Sequence, residues 1–428
     1  MSGGGPVSEW REVALGEIAE IAVGPAFKSA EFTDDGADVR LLRGVNVGVG
    51  AISWSATKYW PSDRAADVER YRVRVGDVIL AMDRPWIDAG LKVAAVRSGD
   101  VPSLLVQRVA RLRARGEVHQ PFLRAVVGTN QFAEYLKGVT SGTAVPHISA
   151  GDIQRFSLQV PSAATQRRIA AILSTFDELI EINERRIELL EDLARSFYRE
   201  WFVRFRFPGH TEVDFIDTEL GLIPGGWLTT SLGDLAETVV DGANVDELDS
   251  EAPYIGLEHL PRRRTTLQAW GGSESITSRK VRFRRGDTLF GKIRPYFHKV
   301  VWAPFDGAAS SDTVVFRSLG ETDAALVNSI LSSDGLVAVS VATSNGTKMP
   351  RANPAALLAY SLALPTPGSR LLLQFERAAK AWLDSAASLV ANNRELAATR
   401  DLLLPRLVTG RLDITDIDLG GLLPPDAA

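Results

Sequence analysis

Apolar residues recur in steps of four and three along the stretch from Ala164 to Phe202: Ile169, Leu173, Phe176, Ile180, Asn183, Ile187, Leu190, Ala194, Phe197 and Trp201. This is heptad spacing with one polar member. The outward positions are charged: Asp177, Glu178, Glu181, Glu184, Arg185, Arg186, Glu188, Glu191 and Asp192. No Gly or Pro falls between Pro161 and Pro208, so the pattern predicts one helix of roughly 60 Å. So narrow a seam needs a partner helix. The stretch Leu371 to Val408 supplies it, with Phe375, Ala379, Trp382, Ala386, Leu389, Asn393, Leu396, Leu403 and Leu407 at the same spacing and Arg400 as the misfit. Asn183 and Asn393 each hold a seam position. A buried Asn there fixes register at a cost in stability, whereas an Asn at the seam's edge is merely solvated. The expectation is an intramolecular antiparallel coiled coil with a globular domain before each helix.

The pattern outside the helices has the two-residue period of strands. Tyr71 to Met82 reads as strand, turn, strand around Gly76-Asp77, Leu104 to Arg113 as one strand, Gln120 to Val139 as helix, and Ile153 to Val160 as a last strand before Pro161. The same order returns from about residue 217. Trp10 with Leu15-Gly16-Glu17 is matched by Trp227 with Leu232-Gly233-Asp234, and Val75-Gly76-Asp77 by Arg285-Gly286-Asp287. Gln107 to Arg113 is matched by Ser311 to Arg317, and Ser141 to Pro146 by Asn345 to Pro350. A period this long marks a duplicated domain rather than a solenoid. The predicted architecture is α+β: two repeated β-rich domains and two long antiparallel helices with pseudo-two-fold symmetry. The boundaries are 1–161 for the first domain, 162–207 for the central helix, 208–366 for a linker and the second domain, 367–412 for the distal helix, and 413–428 for an acidic, frayed tail. Phe205 to Gly226 reads as linker by its Gly and Pro content.

Composition changes this picture in three ways. The chain has 428 residues and no Cys, which excludes a disulfide framework and thiolate metal sites. Met1 to Trp10 lacks the apolar core of a signal peptide, and no run approaches the length of a membrane span, so a cytoplasmic protein without membrane contact is expected. The net charge of −5 argues against nucleic acid until its distribution is considered. Arg262 to Val300 holds eleven Lys and Arg against two acidic residues, and Arg70 to Arg115 ten against four. A GC-rich genome would explain Arg in place of Lys, but not clustering at two corresponding places.

Catalytic motifs are missing. Gly24 to Ser29 lacks the second Gly of a phosphate loop, and Gly44 to Gly50 has the wrong spacing for a dinucleotide fingerprint. The five His residues, 119, 147, 210, 259 and 298, are scattered. No Asp or Glu stands two residues before a Lys, as in many nuclease centres, and no Asn/Asp-Pro-Pro-aromatic run of an amino-methyltransferase is present. The chain reads as a recogniser with no metal and no catalytic residue of its own.

At this point the residues resemble the DNA-specificity subunit of type I restriction-modification systems. The junction Asp217-Thr218-Glu219-Leu220-Gly221-Leu222-Ile223-Pro224-Gly225-Gly226-Trp227 is similar to the family's entry to its second recognition domain. Pro161 followed by Gln166, Ile169, Ala170 and Leu173 resembles the start of its central helix, with Gln374 kept in the second helix. Leu403-Leu404-Pro405-Arg406-Leu407-Val408-Thr409-Gly410-Arg411-Leu412 resembles the end of its distal helix. The resemblance implies that each domain is a target-recognition domain reading half of a split, asymmetric target in double-stranded DNA. It implies that the helices set the gap and dock two methyltransferase subunits, through which motor-nuclease subunits join. S-adenosylmethionine, ATP and Mg would belong to those partners. Two other readings stay open: a single-chain restriction or methylation enzyme with unfamiliar motifs, and a coiled-coil scaffold that never touches DNA.

The candidate DNA contacts follow from the repeat. Met82-Asp83-Arg84-Pro85-Trp86 and Lys292-Ile293-Arg294-Pro295-Tyr296-Phe297-His298-Lys299 both join Arg-Pro to an aromatic. Arg84, Trp86, Lys92, Lys292, Arg294, Tyr296, His298 and Lys299 are therefore candidates, a Pro-stiffened packing loop being the bland alternative. Arg43 and Asn46 are candidates near one half-site. Near the other stand Glu258, His259, Arg262, Arg263 and Arg264, the triple Arg suiting phosphate better than bases. Ser141, Thr143, His147, Ser344, Asn345, Thr347 and Lys348 line the Gly-containing loops, which could also be ordinary turns. Gln107 and Arg108 would contact a base or sit in the core.

Overall fold

The computed structural model describes residues 10–87, 89–140, 146–243, 252–272, 280–320, 323–346, 348–414 and 417. The chain divides into two compact units, 1–178 with 396–428, and 179–395. Both mix helices and strands, as an α+β fold requires.

The first unit is built on a four-stranded antiparallel sheet in the order Ala19–Val23, Val109–Ala114, Val78–Ala81, Val93–Ala95. The strand Val78–Ala81 is apolar throughout because both its faces are covered. Val78 and Leu80 pack with Phe122, Leu123 and Phe132 of two short helices, while Ile79 and Ala81 pack with Leu42, Val47, Leu105 and Val109. A smaller sheet places Val39–Leu42 between Tyr59–Trp60 and, in parallel, Ser103–Leu105. The entry strand Arg11–Ala14 pairs with the exit strand Ser157–Val160.

The second unit repeats the plan. Its main sheet runs Ala236–Thr238, Thr313–Ser318, Thr288–Gly291, Val300–Trp302. Leu289 and Phe290 of the buried strand again point into two different cores. Trp227–Ser231 pairs with Ser361–Pro365 as entry and exit. Two segments matched in the sequence meet in each unit. Arg113 donates two bonds of 2.7 Å to Asp77, and Arg317 donates bonds of 2.9 and 2.7 Å to Asp287. Each of these carboxylates also accepts the N–H three residues before it, closing the turn at Gly76 or Gly286, whose φ of +88° and +89° favour Gly.

The heptad stretches fold as the helices Ala163–Tyr198 and Arg370–Val408. They run antiparallel: Asn183 faces Asn393, and Phe197 stacks on Phe375 at 5.2 Å between ring centres. Asn183 Nδ2 donates to Oδ1 of Asn393 at 2.8 Å and of Asn392 at 3.1 Å, so this Asn is a paired seam residue. In the second unit the seam is filled by Ile187, Leu190, Ala386, Leu389 and Val390. Phe197, Trp201, Phe375 and Trp382 form an aromatic cluster there. In the first unit Ile169, Leu173 and Leu407 are buried, with Leu403 against them. Phe176, Ile180 and Leu396 are half-buried. The misfit Arg400 bonds to Asp177 at 2.7 Å, and Arg124 donates to the same carboxylate at 2.7 Å. A paired charge on a partly exposed seam costs little, which explains how the helix tolerates it.

The structure departs from the sequence expectations at several joints. Residues 71–77 form no strand, because the 3-10 segment Ser62–Tyr71 runs into the Asp77-capped turn. The stretch 104–113 is two strands, since the chain changes sheets at Gln107-Arg108, where Arg108 takes φ +64°. The stretch 120–139 is two helices, because Thr129 caps a new one with its hydroxyl accepting Phe132 N–H. Ile153 is helical, within Ala150–Gln154, which is started by a Ser149–Asp152 capping box. The linker contains a hairpin, Phe215–Thr218 with Gly221–Pro224. Ile414, expected in a frayed tail, is buried, and its carbonyl accepts from Arg168 at 2.8 Å. Among the described residues no single helix is long and apolar enough to cross a membrane.

Candidate nucleic-acid interface

The two Arg-Pro loops begin alike and then diverge, the first continuing as the hairpin Trp86–Ile87 with Gly90–Leu91 and the second as the 3-10 turn Pro295–Phe297. Arg84 and Arg294 have φ of +44° and +52°, a left-handed backbone that costs a non-Gly residue about 1–2 kcal/mol. Each donates its N–H to a proline carbonyl of the neighbouring loop, Arg84 to Pro146 at 2.9 Å and Arg294 to Pro350 at 2.7 Å. Both side chains are exposed. A strained conformation kept twice, with the same residue in it, points to a shared task.

Two further matched residues brace these loops. Lys92 Nζ donates to the Gly44 carbonyl at 2.5 Å, and Lys299 Nζ donates to the Leu257 carbonyl at 2.6 Å. Burial lowers both ammonium pKa values, with Arg262 adding to the effect at Lys299. The turns that supply those carbonyls are closed alike. Asn46 Oδ1 accepts Arg43 N–H at 3.1 Å, and His259 Nδ1 accepts Gly256 N–H at 2.9 Å.

Some candidates are therefore internal. Asn46 is fully buried, its amide also donating to the Ser53 carbonyl, so it shapes a turn and has no surface for DNA. His298 is buried and bonds through Nε2 to the Ser332 carbonyl at 2.8 Å. Arg264 is held by Glu191 at 2.8 Å and Glu188 at 3.2 Å. Arg43 donates to the Ala56 carbonyl. Part of the basic clustering also has an internal cause, because Arg111, Arg113 and Arg317 serve ion pairs within the sheets.

Other candidates stand at the surface. Arg262 is exposed and stacks 3.8 Å above Phe297. Arg263 is exposed, 3.5 Å from Asp334. Tyr296, Asn345 and Lys348 are exposed, and Lys292 and Ser344 half-buried. Trp86 is half-buried under Lys137, 5.3 Å from its ring centre. Gln107 and Arg108 are exposed, and Asp83 accepts from both Arg108 at 2.9 Å and His147 at 2.5 Å. Ser141, Thr143 and Thr347 lie outside the described residues. No group of three or more His, Asp or Glu able to hold a metal occurs among the described residues.

The sequence profile of the type I restriction modification DNA specificity domain matches residues 7–192. Residues 7–192 are thus similar to type I restriction-modification DNA specificity domains. It is 30% identical over 189 residues to the MjaVIII type I restriction enzyme specificity subunit of Methanocaldococcus jannaschii, covering 44% of each chain. It is 34% identical over 174 residues to the EcoAI specificity subunit of Escherichia coli, covering 40% of this chain and 28% of that one. The chain thus spans less than half the length of these relatives. Its fold is similar to the crystal structure of a type I S subunit from M. genitalium, with a TM-score of 0.55 and 13% identity over 96% of this chain and 98% of that one.

Two residues that hold helix starts were not legible as such in the sequence. Gln166, buried, accepts His119 N–H at 2.9 Å just before the helix Gln120–Val127. In the second unit this duty falls to Glu376, not to the exposed Gln374. Its carboxylate accepts Ala325 and Leu326 N–H, both at 2.9 Å, at the start of Ala324–Leu331. Burial raises the Glu376 pKa. A Glu inside a heptad seam's flank was the available signal.

Proposed function

We propose that this chain is the DNA-recognition subunit of a type I restriction-modification complex, reading a bipartite asymmetric target with a fixed gap. The observation that carries the reading is the pair of left-handed Arg-Pro loops, Arg84 and Arg294, presented by two copies of one scaffold in a single chain. Two similar domains with different surface residues suit two unlike half-sites. The arginines suit phosphate or guanine, and Trp86 and Tyr296 add flat apolar surface beside them.

The long helices would set the gap and dock two methyltransferase subunits. Leu179, Ile182, Leu189 and Leu193 lie on the outer side of the first long helix and are exposed, with Glu178, Glu181 and Asp192 around them. An apolar stripe of this kind in an acidic surround suits a protein partner better than DNA. Adenine methylation with S-adenosylmethionine, and ATP- and Mg-dependent cleavage by motor-nuclease subunits, would be the partners' work, and this chain would catalyse nothing. Co-expression with a methyltransferase partner, followed by mapping of methylated adenines across the genome, tests the reading. A split motif with a constant unread gap supports it. No methylation, with no methyltransferase co-purifying, defeats it.

A further inference from the structure

Three backbone positions close each Arg-Pro loop in the same way. In the first unit Met82 N–H donates to the Arg108 carbonyl at 2.9 Å, Ile148 N–H to the Met82 carbonyl at 2.9 Å, and Asp83 is bridged to His147. In the second, Lys292 N–H donates to the Asp312 carbonyl at 2.8 Å, Ala352 N–H to the Lys292 carbonyl at 2.8 Å, and Ile293 is bridged to Arg351. Asp83, Arg108 and His147 therefore occupy the same places as Ile293, Asp312 and Arg351.

The scaffold is matched but the chemistry is not. Arg84 and Arg294 keep one residue type at both copies, as do Lys92 and Lys299, which brace the loops from within. The trio keeps none: an acid is replaced by an aliphatic residue, a base by an acid, and an imidazole by a guanidinium. The sugar-phosphate backbone is the same under both domains, so groups that grip it can stay the same. Base edges differ between two unlike half-sites, so groups that read them must differ.

We infer that positions 83, 108 and 147 in one domain, and 293, 312 and 351 in the other, are the specificity-determining positions; this rests on the DNA-recognition reading above. In the first domain Asp83 is a positioning residue. It holds Arg108, 67% exposed, on one carboxylate oxygen and His147 on the other. Arg108 then presents a two-pronged donor suited to guanine O6 and N7. In the second domain no carboxylate stands between the other two positions. The Asp312 carboxylate suits the amino group of cytosine, and the exposed Arg351 suits guanine.

The test selects bound duplexes from a randomised pool with the full chain and its methyltransferase partner. If the unmodified chain selects no sequence, the DNA-recognition reading fails, and this inference with it. If it selects a split motif, Arg108→Gln should weaken the preference at one position of one half by about tenfold or more. Arg351→Gln should do the same only in the other half. Arg108→Lys, which keeps the charge and loses the fork, guards against misfolding of the first variant and should show the same loss. Unchanged preference at every position overturns the inference while the recognition reading stands. So does an even loss across all sequences with a shallower salt dependence, which would make Arg108 a phosphate contact.

Discussion

Glu191 is the clearest point at which a helix residue controls a candidate DNA-contact turn. It is almost fully buried, and its carboxylate accepts Arg264 Nε at 2.8 Å, Thr265 N–H at 2.9 Å and Thr266 N–H at 2.7 Å. Arg195 of the same helix donates to the Arg263 carbonyl at 3.2 Å. The turn that carries Arg262 and Arg263 is thus tied to the helix at four points. Glu191→Ala leaves two amide donors without a partner, each worth about 1–3 kcal/mol when buried. It also leaves Arg264 with only the exposed Glu188, a smaller loss because water reaches the guanidinium. Together these predict a local loss of about 3 kcal/mol, or on the order of a hundredfold in the opening equilibrium. Hydrogen exchange of the Thr265 and Thr266 amides reads that equilibrium directly, without assuming that the whole chain unfolds in one step. Glu191→Gln, which keeps one acceptor oxygen, should lose about half as much in free energy. DNA affinity should fall with the exchange protection if Arg262 and Arg263 grip phosphate. Native protection of both amides in Glu191→Ala would refute the reasoning.

Three further outcomes are expected. Arg294→Gly should stabilise the second unit by about 1 kcal/mol by relieving the left-handed backbone, while Arg294→Ala should not. Both should weaken recognition of one half-site only, and a stability loss with Gly in a denaturant melt would contradict the strain argument. In the seam, Asn183→Leu alone should cost about 1 kcal/mol by leaving the Asn393 Oδ1 without its donor, whereas Asn183→Leu with Asn393→Leu should melt above either single variant. A single variant as stable as the double would show that the pair is not coupled. His298 is held neutral below the ordinary histidine pKa by burial, with Arg263 and Arg195 also opposing charge, and Asp334 and the Ser332 carbonyl favouring it. The unfolded chain therefore takes up the proton first, and stability should fall as pH drops below 6.5. His298→Asn, which tolerates the left-handed backbone, should flatten that slope in melts across pH.

The heptads, the duplication and the family resemblance were all legible along the chain, because each is a pattern of neighbours. Burial every three and four residues is written into residues a turn apart, which put Asn183 and Asn393 at seam positions, while their pairing was visible only in the fold. The matched Gly-Asp turns and Arg strands could be aligned without knowing that Asp77 meets Arg113 and Asp287 meets Arg317. What the sequence could not decide was which charged residues face inward. Arg264 and Arg262 stand two apart in one run, yet a helix carboxylate 73 residues away claims the first and leaves the second on the surface. Asn46 had a base-reading side chain, but the backbone N–H of Arg43 and the carbonyl of Ser53 used it up. The trio at 83, 108 and 147 is spread over three segments that only the folded sheet brings together. Local pattern sets the elements, because hydrophobic period is a property of adjacent residues. The choice between an internal ion pair and a free contact depends on what the fold places opposite each charge.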